Sequence, residues 1–115
     1  MYVNTLENIE KKKVQTQGAQ NVSKQRVIDP EHGWDGWVMR VFTIEKEGYT
    51  PRHAHGWPHI NYVIDGKGVL FLGDARHIVQ KGSVAYIPEG IEHQFINEGD
   101  SELSFICIVP EEGDL

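Results

Sequence analysis

Four of the chain's six histidines fall into two groups, His53-Ala54-His55-Gly56-Trp57-Pro58-His59 and, much further along, His93, each framed by glycine and proline. Histidines so concentrated constrain the fold, because a shared task requires the two segments to meet in space. In an extended strand His53 and His55 project from the same face, so one ion can be held between them. The Gly56-Trp57-Pro58 segment reads as a turn that returns His59 from the neighbouring strand. An H-x-H pair by itself is equally a half-exposed strand carrying two solvated imidazoles. The four together favour a metal site, since neutral imidazole nitrogen is the commonest protein ligand of divalent transition metals.

The surrounding residues sharpen that reading. The first stretch runs Gly48-Tyr49-Thr50-Pro51-Arg52-His53-Ala54-His55, then His59, then on to Gly66; the second runs Gly82-Ser83-Val84-Ala85-Tyr86-Ile87-Pro88-Glu89-Gly90-Ile91-Glu92-His93-Gln94-Phe95-Ile96-Asn97. They resemble the two motifs of the cupin superfamily, G(X)5HXH(X)3,4E(X)6G and G(X)5PXG(X)2H(X)3N. The second matches at every defined position. The first departs twice: Gly48 stands one residue closer to the H-x-H pair than the pattern asks, and His59 stands where the family usually has glutamate. Within the superfamily the chain is similar to small single-domain cupins of thermophilic bacteria whose manganese is held by four histidines, and Trp37–Phe42 and Phe105–Pro110 share in that likeness.

The resemblance implies an all-β fold, a double-stranded β-helix barrel of jelly-roll type, with a metal in its mouth ligated by His53, His55, His59 and His93. It implies one cupin domain over residues 1–115, with motif segments at 48–66 and 82–97 and an N-terminal arm at 1–21. It does not imply one reaction, because cupins host dioxygenases, isomerases, decarboxylases, storage proteins and sensors on the same barrel.

A chain of 115 residues is long enough for one core and too short for a second module. Its 12 glycines suit many short strands and tight turns. A single cysteine excludes an internal disulfide, and residues 1–14 contain Lys11-Lys12-Lys13 but no apolar leader, which argues for a cytoplasmic protein. No apolar run approaches the ~18 residues of a membrane span. The net charge of −6, with no lysine or arginine from Gly82 onward, argues against nucleic acid as a partner. Lys11-Lys12-Lys13 reads as a solvated stretch of the arm.

Alternation and turn residues predict strands at Val22–Ile28, Trp37–Ile44, Ile60–Asp65, Val69–Leu72, His77–Val79, Val84–Ile87, His93–Ile96 and Leu103–Val109. Asp29-Pro30-Glu31-His32-Gly33 breaks the first, Gly66-Lys67-Gly68 joins two of them, and Gly73-Asp74 reads as a hairpin turn. Residues 1–21 read as an irregular arm and Glu111–Leu115 as a mobile tail. No helix is predicted. Sheet edges and apolar outer faces predict a homodimer, in which the arm adds a strand to a partner.

Four neutral imidazoles leave a divalent ion its full charge, so the site favours an anionic ligand. Six-coordinate Mn²⁺ or Fe²⁺ would keep two open positions, whereas tetrahedral Zn²⁺ would be closed by the four ligands; nickel and copper also suit imidazole. Side-chain alternation offers pocket candidates. Asn61 shares a face with His59, and Phe95 with His93; Asn61 then either orients a substrate or is a buried amide satisfied by backbone. Arg40, amid Val38, Phe42 and Ile44, either points inward as an anion clamp and candidate catalytic group, as the resemblance favours, or outward to a surface carboxylate. Phe105, Cys107 and Val109 share a face of the last strand, Cys107 being either a small hydrophobe or an oxidisable thiol near the metal. Trp57 is a lid or merely packs its turn. His32 and His77 fit no ligand spacing, and Trp34 and Trp37 read as core or subunit contact. The functional expectation is a metal-dependent oxygenase acting on a small anionic or enolisable molecule, with a non-catalytic metal or small-ligand binding module as the alternative.

Overall fold

A computed structural model describes residues 1–114. Its nine strands are β1 Lys12–Lys13, β2 Gln20–Ile28, β3 Trp37–Tyr49, β4 His59–Asp65, β5 Lys67–Leu72, β6 Ala75–Gln80, β7 Val84–Ile87, β8 His93–Ile96 and β9 Leu103–Pro110. They form one curled antiparallel sheet in the order β6-β5-β8-β3-β9-β4-β7, with β2 on β3 and β1 on β2. This is the barrel that the motif resemblance implies. The only helical elements among the described residues are three single 3-10 turns, at Leu6–Asn8, Pro30–His32 and Glu111–Gly113.

The sheet closes because β3 serves both of its halves. Over Trp37–Ile44 it pairs with β9, while Tyr49 pairs with Ile96 of β8. Between these two stretches β3 bends, with Glu47 at a positive φ of 64° and a shift in its register against β2. Gly48 lies in the crowded corner, where a Cβ would meet Gln20 O at 2.6 Å and Ile44 Cγ2 at 2.8 Å. The first glycine of the motif is thus required by close packing of backbone. Asn97, which ends the second motif, secures the same corner: its buried amide donates to Ile44 O and Ser101 O, both at 2.9 Å, and accepts from Gly99 N.

Inward-facing residues of these strands make the core, among them Val38, Ile44, Val63, Leu70, Ile87, Leu103 and Val109. Burying such side chains, at roughly 25 cal/mol per Å² of apolar surface, is the main term holding the barrel. The last strand alternates strictly between buried and half-buried positions, Leu103, Phe105, Cys107 and Val109 pointing inward.

Four expectations change. Gly66-Lys67-Gly68 is not all turn, since β5 already begins at Lys67 and Gly68 pairs with Val79. The arm is more regular than its polar sequence announces: β1 pairs with β2 of its own chain, and Gln25 donates to Leu6 O and Ile9 O at 2.7 and 3.0 Å. The acidic tail is not loose through Asp114. Glu111–Gly113 forms a 3-10 turn, Gly113 is buried, and Asp114 makes buried ion pairs; Leu115 lies outside the described residues. Trp34 and Trp37 are not core; they stack at 6.4 Å on the surface, 36% and 42% exposed.

Candidate metal centre

The loop after β3 carries the H-x-H pair and is tied to β8 by two reciprocal backbone bonds, His53 N to His93 O at 3.1 Å and His93 N to His53 O at 2.9 Å. That bridge sets His93 against the pair, and β4, whose first residue is His59, supplies the fourth imidazole. Ligand atoms of His53, His55 and His93 all lie within 4.8 Å of one another. His59 stands beside this triad, its Nε2 3.1 Å from His93 Nε2, and the Nε2 atoms of His53 and His55 are 3.0 Å apart.

These distances and tautomers suit an ion. Two nitrogens held about 2.1 Å from one metal lie about 3.0 Å apart at a right angle and about 3.4 Å apart at the tetrahedral angle. The 3.0 and 3.1 Å separations within the His53–His55 and His59–His93 pairs are spans that one divalent ion bridges. The His93 Nδ1 lies 2.9 Å from Ile91 O; a carbonyl only accepts, so Nδ1 carries the proton and Nε2 presents its lone pair. At His59 the Nδ1 faces the Cys107 Sγ at 3.5 Å, with the Asn61 amide alongside. The Asn61 Oδ1 is buried without a hydrogen-bond partner among the described residues. Both are acceptors for an Nδ1–H, the tautomer His59 needs in order to bind a metal through Nε2.

Electrostatics act in the same direction. Burial, then the facing His53, His93 and Arg40, hold His55 down to about 4. Burial, then His93, His55 and Arg40, hold His59 down to about 3, the Asn61 amide opposing weakly. His53 is lowered by burial and by His93; His93 is lowered by burial, against the pull of the Ile91 carbonyl and Glu92. Neutral imidazoles are the form that binds metal, so no proton has to leave these rings at neutral pH.

The histidines stand in a cavity of about 460 Å³, within the range of small-molecule sites. Arg40, Asn61, Phe95, Phe105 and Cys107 line it, as does Trp57, whose indole stacks on His55 at 4.7 Å and 9°. Arg40 therefore points inward. It donates through Nη2 to Cys107 Sγ at 3.0 Å, lies 4.9 Å over the Phe42 ring, and is 8% exposed. Burial pushes the Cys107 thiol up, with Arg40 opposing. Val109, expected on the same wall, is instead fully buried in the core, one alternation past Cys107. His32 accepts from Asp29 N and His77 lies on β6, both away from the cluster.

Sequence reasoning missed the other end of the cavity. Residues 12–16 of the arm and Lys24 line it, and Gly113 closes on Trp57. Asp114 lies beyond, 3.2 Å from Lys24 Nζ, 3.3 Å from Arg26 Nε and 3.6 Å from Arg40 Nη1. The period-2 pattern that aligns Lys24 with Val22 is a signal for the lysine. Nothing local marks Asp114.

The family model of the cupin domain matches residues 40–109. The polyketide cyclase RemF of Streptomyces resistomycificus superposes with a TM-score of 0.89 at 28% identity, over 96% of this chain and 79% of that one. A predicted oxalate decarboxylase of Thermotoga maritima shares the fold, with a TM-score of 0.86 at 18% identity over 95% and 98% of the two chains. The 1-methylthio-D-xylulose 5-phosphate methylsulfurylase of Rhodospirillum rubrum is 29% identical over 76 residues, 66% of this chain and 49% of that protein, so the chain spans about half of that relative's length. Fold, paired motifs and matched residues together make this chain a member of the cupin superfamily.

Proposed function

We propose that the protein is a metal-dependent enzyme of oxygenase type, in which His53, His55, His59 and His93 hold one divalent ion, Mn²⁺ or Fe²⁺, and a small anionic or enolisable molecule is the substrate. The observation that supports this reading is the meeting of the four histidines, with Nε2 separations of 3.0 and 3.1 Å within two pairs, at a cavity rather than in a sealed core. When bound, such an ion supplies Lewis acidity and, for manganese or iron, redox chemistry at the positions the histidines leave open. The chain's own contributions are binding and orientation. Arg40 attracts and aligns an anionic group, and Asn61 offers its unpartnered Oδ1 to a donor, either His59 Nδ1–H or the substrate. Phe95 and Phe105, stacked at 4.0 Å, form an apolar wall that excludes water and strengthens charge interactions.

The test reconstitutes metal-free protein with Mn²⁺, Fe²⁺ and Zn²⁺ separately, then supplies dioxygen or an alkyl peroxide with a panel of enolisable and alkenyl substrates. Turnover with Mn²⁺ or Fe²⁺ that disappears with Zn²⁺ and in His93→Ala is expected. Turnover retained with Zn²⁺ would favour a second reading, cyclisation of an enolisable substrate without net oxidation, for which the likeness to RemF speaks. A four-coordinate ion inaccessible to azide would replace both with a non-catalytic binding module.

We take the protein to act in the cytoplasm as a homodimer. Ile60, Tyr62, Val84 and Tyr86 pair across the outer face of β4 and β7 and are 52, 46, 74 and 62% exposed, an apolar patch that favours a second copy over water. A monomeric mass at micromolar concentration would rule this out.

A further inference from the structure

Arg40 is poorly served for a buried guanidinium. Of its five donors, Nη2 meets only a thiol sulfur, Nη1 reaches Asp114 at a long 3.6 Å, and the buried Nε has no hydrogen-bond partner among the described residues. Its cross-strand neighbour on β2 is Arg26, so two like charges face each other. The carboxylate that reaches both, Asp114, has a side chain 4% exposed and is shared with Lys24 as well, while Arg26 also pairs with Asp29 at 2.9 Å. It arrives on a short C-terminal turn, pressed against the Trp57 indole at Gly113. A planar guanidinium is built to take a carboxylate side by side through two donors, which Asp114, reaching Nη1 at 3.6 Å, does not satisfy.

We propose that the Arg40 end of the cavity is a carboxylate-binding subsite, with Asp114 as its internal competitor, and that it selects small carboxylates carrying a flat apolar body. The body is set by the aromatic wall: Phe42 stacks on Phe105 at 5.6 Å and Phe105 on Phe95 at 4.0 Å, beside the guanidinium. The proposal rests on the metal-dependent reading and narrows its anionic substrate to this class. Such a ligand places its carboxylate on Arg40 and leaves its other end free to reach the histidines. Because Asp114 holds part of the guanidinium in the ligand-free state, apparent affinity is reduced by the fraction of molecules in which it is engaged.

The test titrates the full-length protein as purified with benzoate, with benzyl alcohol as a neutral analogue of similar shape and with inorganic phosphate, while the Arg40 Nε–H resonance is followed. Saturable binding of benzoate that shifts this resonance, absent with benzyl alcohol and phosphate, is expected. Asp114→Asn should tighten benzoate on the order of tenfold by removing the competitor, and Arg40→Gln should weaken it by at least as much. Gly113→Ala provides a second route should Asp114→Asn fail to fold. Its Cβ would fall 2.6 Å from the Trp57 Nε1, displacing the turn without altering any charge, and must tighten benzoate in the same sense. Equal binding of benzoate and benzyl alcohol, preference for phosphate, or unchanged benzoate affinity in a folded Asp114→Asn or Gly113→Ala protein would overturn the proposal. Binding lost in His93→Ala but kept in Arg40→Gln would put the anion on the metal, sinking the subsite and sparing the metal reading. Arg40-dependent binding in a protein that takes up no metal would do the reverse.

Discussion

The two ends of the cavity are built on opposite principles. At the histidine end four imidazoles are neutral, mutually repelled from protonation and held by backbone: the His53–His93 bridge and the Ile91 carbonyl. At the other end Lys24, Arg26 and Arg40 are brought together by one carboxylate from the far end of the chain, Arg26 pairing also with Asp29. The first end is organised to receive a positive ion, the second to receive a negative group. An apolar wall between them keeps the two charges unscreened, which is the arrangement a ligand with distinct ends requires. Cys107 touches both, through Arg40 Nη2 and His59 Nδ1.

That comparison breaks most visibly at the histidines. His93→Ala, or His59→Ala, should cut metal affinity by more than the ~10–100-fold typical of outer-shell changes, with the barrel still folded because sheet packing supplies its stability. Metal content measured on the purified variants decides, and undiminished uptake in His59→Ala would show that this residue does not replace the family's glutamate as a ligand.

Acid should act on the histidine end. His55 and His59 sit at about 4 and about 3 in the folded chain, against an ordinary 6.5 when unfolded. Below about pH 6.5 the unfolded chain takes up protons that the folded one refuses, so stability falls as pH drops from there towards about 3 and is regained on raising it. Denaturant midpoints of metal-free protein across that window measure the effect; a flat profile would mean the rings are solvated.

A smaller effect is expected at the cationic end. Asp114→Asn leaves three cations without their shared carboxylate and should cost about 1–3 kcal/mol, while metal affinity at the far end stays within about twofold. Thermal melts and metal titrations on the same sample separate the two. Smallest of all, Cys107→Ser shortens the link between the ends, weakening the contacts to Arg40 and His59. Metal affinity should fall by less than about tenfold, and a larger fall would make the thiol a principal support of His59.

Much of the fold was legible because its strands alternate. Seven of the eight predicted strands lie within observed ones with ends shifted by a few residues at most, and β3 runs on to Tyr49 only because it turns the corner between the two halves of the sheet. The arm was unreadable for the opposite reason. Its strand is two residues of lysine, whose side chains show no alternation, and its pairing is paid back by β2 rather than by local preference.

The four histidines and their glycine and proline frame are properties of short segments, and short segments display their spacing in the sequence. Barrel class and candidate ligands were therefore legible there through the motif resemblance, whereas the direction of Arg40 stayed open. That direction, the close approach of the imidazole nitrogens, the tautomer of His93, the exclusion of Val109 from the cavity and the buried side chain of Asp114 depend on segments far apart along the chain. Lys24 and Asp114 are separated by 90 residues, and no local pattern records a charge pair that exists only once the sheet has curled and the C-terminal turn has closed on Trp57.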